Sequence, residues 1–163
     1  MTARTRGKKA AGLGDGKSQV AASSAIAFRS YTPKDEPSCV RIAGRSVDYT
    51  HALDLAADVI EVAEIDGTVV GFAFLQIWDW SRVGWLGEIV VDPDCRHLGI
   101  GTKLLAHMEV RARQRGCRVV MDHPPVNHPA IPFYLARGYR ICGYNDAFYD
   151  GDNRTAIFIA KEL

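Results

Sequence analysis

The chain has 163 residues, 47% of them apolar, which suits one domain with a core of its own. Its net charge of +1 is uneven: residues 1–25 hold five basic side chains against one acid, so the remainder is slightly acidic. That balance argues against nucleic acid as a partner and suits a cationic substrate, and no apolar run approaches the ~18 residues of a membrane span.

Residues 1–25 are rich in Ala, Gly, Ser and Lys and cannot bury enough surface to offset chain entropy, so they read as a disordered basic tail before a domain over 26–163. The tail holds AGLGDGKS at 11–18, close to a Walker loop. Ala11 replaces the first glycine, however, and the preceding RTRGKKA cannot form the buried strand that such a loop needs. IAFRSY (26–31) alternates as a strand. Thr32 is then a natural N-cap, with Pro33 at the first helical position and Asp35 and Glu36 suited to a helix start. A further helix is expected before the next strand. DVIEVAEI (58–65) and TVVGFAFLQIW (68–78) are strands joined at Asp66-Gly67, a tight-hairpin signal, and DWSR turns into VGWLGEIVV (83–91). A helix over 99–115 puts Ile100, Leu104, Leu105, Met108 and Ala112 on one face, and Gly116 stops it. CRVVMD (117–122) is a short strand, HPAIPFYLARG (128–138) a short helix, and YRICGYN and RTAIFIAKEL finish as strands. This order predicts an α/β sheet of mixed direction. The cysteines Cys39, Cys95, Cys117 and Cys142 are far apart and no histidine cluster has metal spacing, so they read as reduced thiols in a cytoplasmic protein that needs no metal.

The stretch DCRHLGIGTKLL follows a strand and opens a helix. A helix N-terminus offers unpaired N–H groups and partial positive charge, Gly99 and Gly101 let backbone approach a ligand, and Arg96 adds a fixed charge. A dinucleotide fold fits poorly, because GIGTKL lacks the third glycine and the linker from the strand is too long.

VVDPDCRHLGIGTKLL resembles the acyl-CoA signature of the GNAT superfamily of N-acetyltransferases, Arg/Gln-x-x-Gly-x-Gly/Ala after a strand ending in apolar-Val-x-Pro, with Arg96, Gly99 and Gly101 at the key positions. NHPAIPFYLARGYR (127–140) resembles the family's second hallmark, in the right order and separation, with Pro132 as a departure in the first turn of its helix. The resemblance covers about 26–163. It implies a mixed, mostly antiparallel central sheet with helices on both faces and a splayed strand pair that forms an acyl-CoA cleft. It implies that Arg96, His97, Leu98, Gly99, Ile100, Gly101 and Thr102 bind the cofactor diphosphate. Backbone at Ile89, Val90 and Val91 would meet the thioester and pantetheine arm, Asn127 would touch that arm, and Tyr134 would lie near the sulfur. A homodimer is the default that the family suggests.

Acetyl transfer from acetyl-CoA to an amine needs a neutral nucleophile, so a base must remove a proton, and an acid eases departure of the thiolate. Glu88, which interrupts the apolar WLGEIVV, is the first candidate base, since partial burial would raise its pKa. His123 is the second, Asp122 beside it ranks behind both, and Tyr134 is the candidate acid. Trp78, Trp80 and Trp85, with Tyr144 and Asp146, are the residues expected to hold a cationic acceptor. GYRICGYNDAFY loosely resembles streptothricin- and aminoglycoside-type resistance acetyltransferases, which implies a small-molecule amine. Protein N-terminal or lysine acetylation is the alternative, and a non-catalytic acyl-CoA-binding module is the alternative of another class.

Overall fold

The computed structural model describes residues 25–44, 58–151 and 154–163. In chain order it contains β1 (Ile26–Ser30), α1 (Glu36–Ala43), β2 (Val59–Ile65), β3 (Thr68–Trp78) and β4 (Val83–Val91). Then come α2 (Ile100–Gln114), β5 (Val119–Asp122), α3 (Ala130–Leu135), β6 (Arg140–Asn145) and β7 (Ala156–Glu162). The seven strands form one sheet in the order β1-β2-β3-β4-β5-β7-β6. Every neighbouring pair is antiparallel except β4 and β5, which run parallel. The sheet is therefore the mixed, mostly antiparallel one expected. The basic tail and the extra helix before β2 lie outside the described residues.

Helices cover both faces. On one, α2 buries Ile100, Leu104, Leu105, Met108 and Ala112 against Ala63, Ala73, Leu75, Leu86 and Val120. These are the residues that recur every three to four positions in its sequence. Full burial of each leucine or methionine contributes about 2 kcal/mol relative to exposure. On the other face, α1 buries Cys39 and Ile42 against Val62, Val69 and Phe72. Asp66 (φ 49°) and Gly67 (φ 74°) both adopt the left-handed region that the two-residue β2–β3 turn requires. The helix expected over 128–138 is reduced to α3, with Pro129 before it and Pro132 in its first turn, where no N–H is needed.

Entry to α1 is set by Asp35. Its carboxylate takes two bonds from the Arg29 guanidinium, each 2.7 Å, and accepts from the Thr32 N–H (2.8 Å) and hydroxyl (2.9 Å). The hydrogen bonds from Arg29, above all, hold the Asp35 carboxyl well below the usual carboxylate range. A depressed folded-state pKa contributes stability above the unfolded value of about 3.9, and that contribution is lost as pH falls below it. Arg29 is 37% exposed, so solvent screening reduces the effect. Asp35→Asn is expected to cost about 1–2 kcal/mol at pH 7. Thermal unfolding of both proteins at pH 7 and pH 3 checks this, because the gap between them should narrow in acid.

Candidate active site

β4 and β5 pair over only three residues each, Val83–Trp85 with Val119–Met121. Beyond Trp85 they part, and among the described residues the flank of Gly87–Val91 that faces β5 has no strand beside it. Both strands carry a cause. On β4, Gly87 is an extra residue: Phe74 pairs with Glu88 and Leu75 with Leu86, which leaves Gly87 as a bulge that bends and twists the strand. On β5, His123-Pro124-Pro125 ends the strand because neither proline can donate to a ladder. The Pro124 carbonyl instead accepts from Ile157 of β7 (2.9 Å), so the chain leans towards β7 and away from β4.

The bulge also resets which way β4 side chains point. Leu86 lies under α2, and strict alternation would put Glu88 there too. The extra residue instead pairs Glu88 with Phe74, on the α1 face of the sheet.

The opening holds two adjoining depressions, both lined by Ile89 and Ala130. The outer one, ≈ 500 Å³, lies between the β4–α2 loop and α3. Asp92 shapes the loop: its carboxylate accepts from the Asp94 N–H (3.1 Å) and from Arg41 (2.6 Å). His97 (φ 64°) and Gly99 (φ 78°) are both left-handed. The first bond inside α2 runs from the Lys103 N–H to the Gly99 carbonyl (3.1 Å). The N–H groups of Ile100, Gly101 and Thr102 therefore have no helical acceptor, and the positive end of the helix faces the depression. A Cβ on Gly101 would reach only ordinary contact with Phe133 and Val91, both 3.6 Å away, so its absence widens the floor of the cradle.

Two guanidinium groups line this half. Arg96 Nε donates to the Val91 carbonyl (3.2 Å). Arg137, not picked out from the sequence, sits 3.8 Å over the Phe133 ring, donates to the Phe133 carbonyl (2.6 Å) and donates through Nε to the Thr102 hydroxyl (3.0 Å). Unpaired amides, a helix dipole and two arginines fit a diphosphate.

The inner depression, ≈ 390 Å³, gathers Phe74, Glu88, Asp122, His123, Tyr134 and Tyr149. Tyr134 is fully buried, and among the described residues its hydroxyl makes no hydrogen bond of good geometry, although the Asp122 carboxylate stands near enough to interact with it. Burial, with the carboxylates of Asp122 and Glu88 adding to it, holds the phenol well above the usual tyrosine value. It stays protonated across ordinary pH and offers one donor. A buried donor that is poorly satisfied costs up to about 1–3 kcal/mol, and a ligand atom that accepts from it would recover that cost. Asp122 is 9% exposed and accepts the His123 N–H (2.6 Å).

His123 is held on every side. Its Nε2 accepts from the Trp85 indole (3.2 Å), which places the imidazole proton on Nδ1, 3.6 Å from an Asp122 oxygen. Its ring meets Trp85 and Phe148 edge-on, each at 4.7 Å, and the Tyr149 hydroxyl donates to its carbonyl. The lone pair that a base would use is thus already engaged.

The structure brings Glu88, His123 and Tyr134 together, and with them Ile89, Val91, Arg96, His97, Gly99, Ile100, Gly101 and Thr102 along one continuous cleft. Leu98 packs on the α2-side core and Val90 on the α1-side cluster, so their side chains turn away. Trp85, Trp78 and Trp80 form a stack, with centroids 4.8 and 6.2 Å apart, that runs from His123 to the surface, where Trp80 is 85% exposed. Tyr144 and Asp146 are exposed on β6 and the turn after it and line neither depression. Asn127 (φ 66°) lines a third hollow with Ile131, Ile141 and Ile157, which shares Pro129 with the outer depression and His128 with the inner one. Arg137 was hidden because an arginine in the last turn of a helix reads as a partner for the dipole. Phe74 was hidden because only strand register reveals what it faces.

Comparison with known proteins agrees with this fold. The model of the acetyltransferase (GNAT) family matches residues 26–139. A streptothricin acetyltransferase of Streptomyces lavendulae is 36% identical over 87 residues, 53% of this chain and 46% of that protein, so the chain spans about half the length of this curated relative. The ribosomal-protein-S18-alanine N-acetyltransferase of Escherichia coli superposes with a TM-score of 0.73 at 22% identity, over 85% of this chain and 94% of that one. A Bacillus anthracis protein solved with acetyl coenzyme A superposes with a TM-score of 0.72 at 18% identity, over 85% and 99%. These two likenesses are of fold.

Proposed function

From the premise that this chain belongs to the GNAT acetyltransferase family, we propose that its cleft moves an acetyl group from acetyl-CoA to the amine of a small cationic acceptor. Bound acetyl-CoA supplies an activated acyl group as a thioester. The amides of Ile100, Gly101 and Thr102, with Arg96, hold the diphosphate, and the free flank of Gly87–Val91 bonds the pantetheine arm and the thioester carbonyl. Tyr134 then lies beside the sulfur. The observation that carries the reading is its buried hydroxyl, without a well-formed hydrogen bond among the described residues, at the inner end of a cleft whose outer end suits a diphosphate.

Glu88 takes the proton from the acceptor ammonium, and the freed amine attacks the thioester carbonyl. A C–N bond forms and the C–S bond breaks. Tyr134 donates its proton to the sulfur as negative charge builds there, so CoA leaves as the thiol. The second proton that the nitrogen loses as the amide forms returns to the phenolate, while Glu88 releases the first to solvent. A thiol titrates near about 8.5, below a phenol, but burial and the nearby carboxylates that raise Tyr134 also raise a thiol beside it, which favours donation to the sulfur. Glu88 is preferred to His123 because the Trp85 indole already occupies Nε2. The acidic lining and the tryptophan stack beside it support a cationic acceptor. The name of the Streptomyces lavendulae relative supports a small molecule.

The test is a panel of small amines and N-terminal peptides with acetyl-CoA, read by CoA thiol release and by an acetyl mass gain on the acceptor. Turnover with cationic small amines is the expected result. Turnover confined to peptides would overturn the acceptor class, and binding of acetyl-CoA without thiol release on any acceptor would favour a binding module. Arg96→Glu puts a carboxylate where the diphosphate sits and is expected to raise KM for acetyl-CoA about tenfold or more, each lost charge-assisted bond costing about 1.5–3 kcal/mol. Isothermal titration with CoA reads the same loss directly.

A further inference from the structure

We infer that Phe74 is the wall that limits the length of the acyl group, and so restricts the cleft to acetyl or a similarly short acyl donor. The inference rests on the acyl-CoA reading of the cleft and deepens it. With the diphosphate at Ile100–Thr102 and the arm along the free edge of β4, the thioester end reaches the inner depression, between Gly87–Ile89 and Tyr134. There the far wall is Phe74. Its ring does not stay over its own strand. It crosses to β4 and lies on the bulge, where an ideal Cβ on Gly87 would stand 2.0 Å from Cε2 and 2.4 Å from Cζ. Gly87 has no side chain, and the ring takes that place.

The placement is held from behind, where Phe74 packs against the α1-side cluster that contains Val62, Val69 and Phe72. A ring backed by a packed core cannot retreat without repacking it. A chain that extends from the thioester beyond two carbons therefore meets an aromatic face. Pocket walls that admit or reject one methylene change rates by about 10- to 200-fold.

The experiment compares kcat/KM for acetyl-, propionyl- and butyryl-CoA, with one acceptor held at a fixed concentration, in wild type, Phe74→Leu and Phe74→Ala. Circular dichroism and melting curves confirm folding. Wild type should favour acetyl over butyryl by about tenfold or more, and the butyryl-to-acetyl ratio should climb about tenfold from wild type to Phe74→Ala, with Phe74→Leu between. In a second series with the acceptor concentration varied, KM for the acceptor should change by the same factor with every donor. Wild type that uses butyryl-CoA as well as acetyl-CoA would overturn the inference, even if Phe74→Ala did not fold. So would an unchanged ratio accompanied by a shift in acceptor KM alone, which would make Phe74 a wall of the acceptor site. In either case CoA would still bind in calorimetry, and only the inference would fall. Absence of CoA binding to wild type would remove the cleft reading itself.

Discussion

Tyr134→Phe is expected to lower kcat by about 10²-fold or more, with KM for acetyl-CoA nearly unchanged, because the change removes a donor used only as charge reaches the sulfur. The ring stays, so its edge-on contact with Phe133 at 5.3 Å and its tilted contact with Tyr139 at 5.1 Å persist. The deleted hydroxyl is buried and makes no well-formed hydrogen bond among the described residues, so its loss should leave the melting temperature nearly equal or higher. Lower kcat together with equal or greater stability separates a catalytic hydroxyl from a structural one. The pH profile adds a second readout. The active form is the protonated phenol, and burial has moved its pKa up, so wild-type kcat should show no alkaline fall from this group through about pH 10. Wild-type turnover in Tyr134→Phe would remove Tyr134 from the chemistry.

Gly87→Ala should damage both rate and stability. The new methyl group would fall inside the Phe74 ring, at 2.0 Å from Cε2, so the ring must swing out of the cleft or the bulge must open. Overpacking of this kind costs about 1–3 kcal/mol. Its catalytic cost is larger, because the bulge aims Glu88 and frees the edge of β4, and a displacement of about 1 Å at a reacting centre costs about 10²-fold in rate. A lower melting temperature with kcat/KM reduced about 10²-fold is the expected pair of results. The clash has a direct check: Gly87→Ala combined with Phe74→Leu should recover part of the stability, a coupling that separate, additive effects would not produce. Unchanged melting and turnover in Gly87→Ala would show that the ring yields freely, and the bulge would lose its assigned role.

Much of this molecule is legible along the chain. The apolar face of α2 follows from residues three and four apart, and the β2–β3 turn from one Asp-Gly pair. The diphosphate cradle follows from the run Arg96–Thr102, because all its parts are consecutive and a strand-to-helix junction needs only its own backbone to expose amides. Tyr134 lines the inner depression and belongs to a motif compact enough to be read locally, since most of its members lie on or beside one short helix.

The rest depends on partners distant in sequence. Trp85 and His123 meet across 38 positions, and that contact occupies the nitrogen which the sequence would have assigned to proton transfer. Arg137 reaches Thr102 across 35 positions. Tyr144 and Asp146 share composition with a cation pocket, but they are exposed at the β6 end of the sheet and line neither depression, while Tyr149 of the same turn lines the inner one. The tightest case is Glu88. Counting by twos from Leu86 puts it beneath α2, and one unpaired glycine, visible only when β3 and β4 are set in register, turns it to the other face. Residues a few positions apart on one element carry their geometry in the helix and strand periods, which every sequence obeys. A cleft made where two strands stop pairing has no period to carry it. It exists only once the bulge on β4 and the prolines after β5 have been folded against each other.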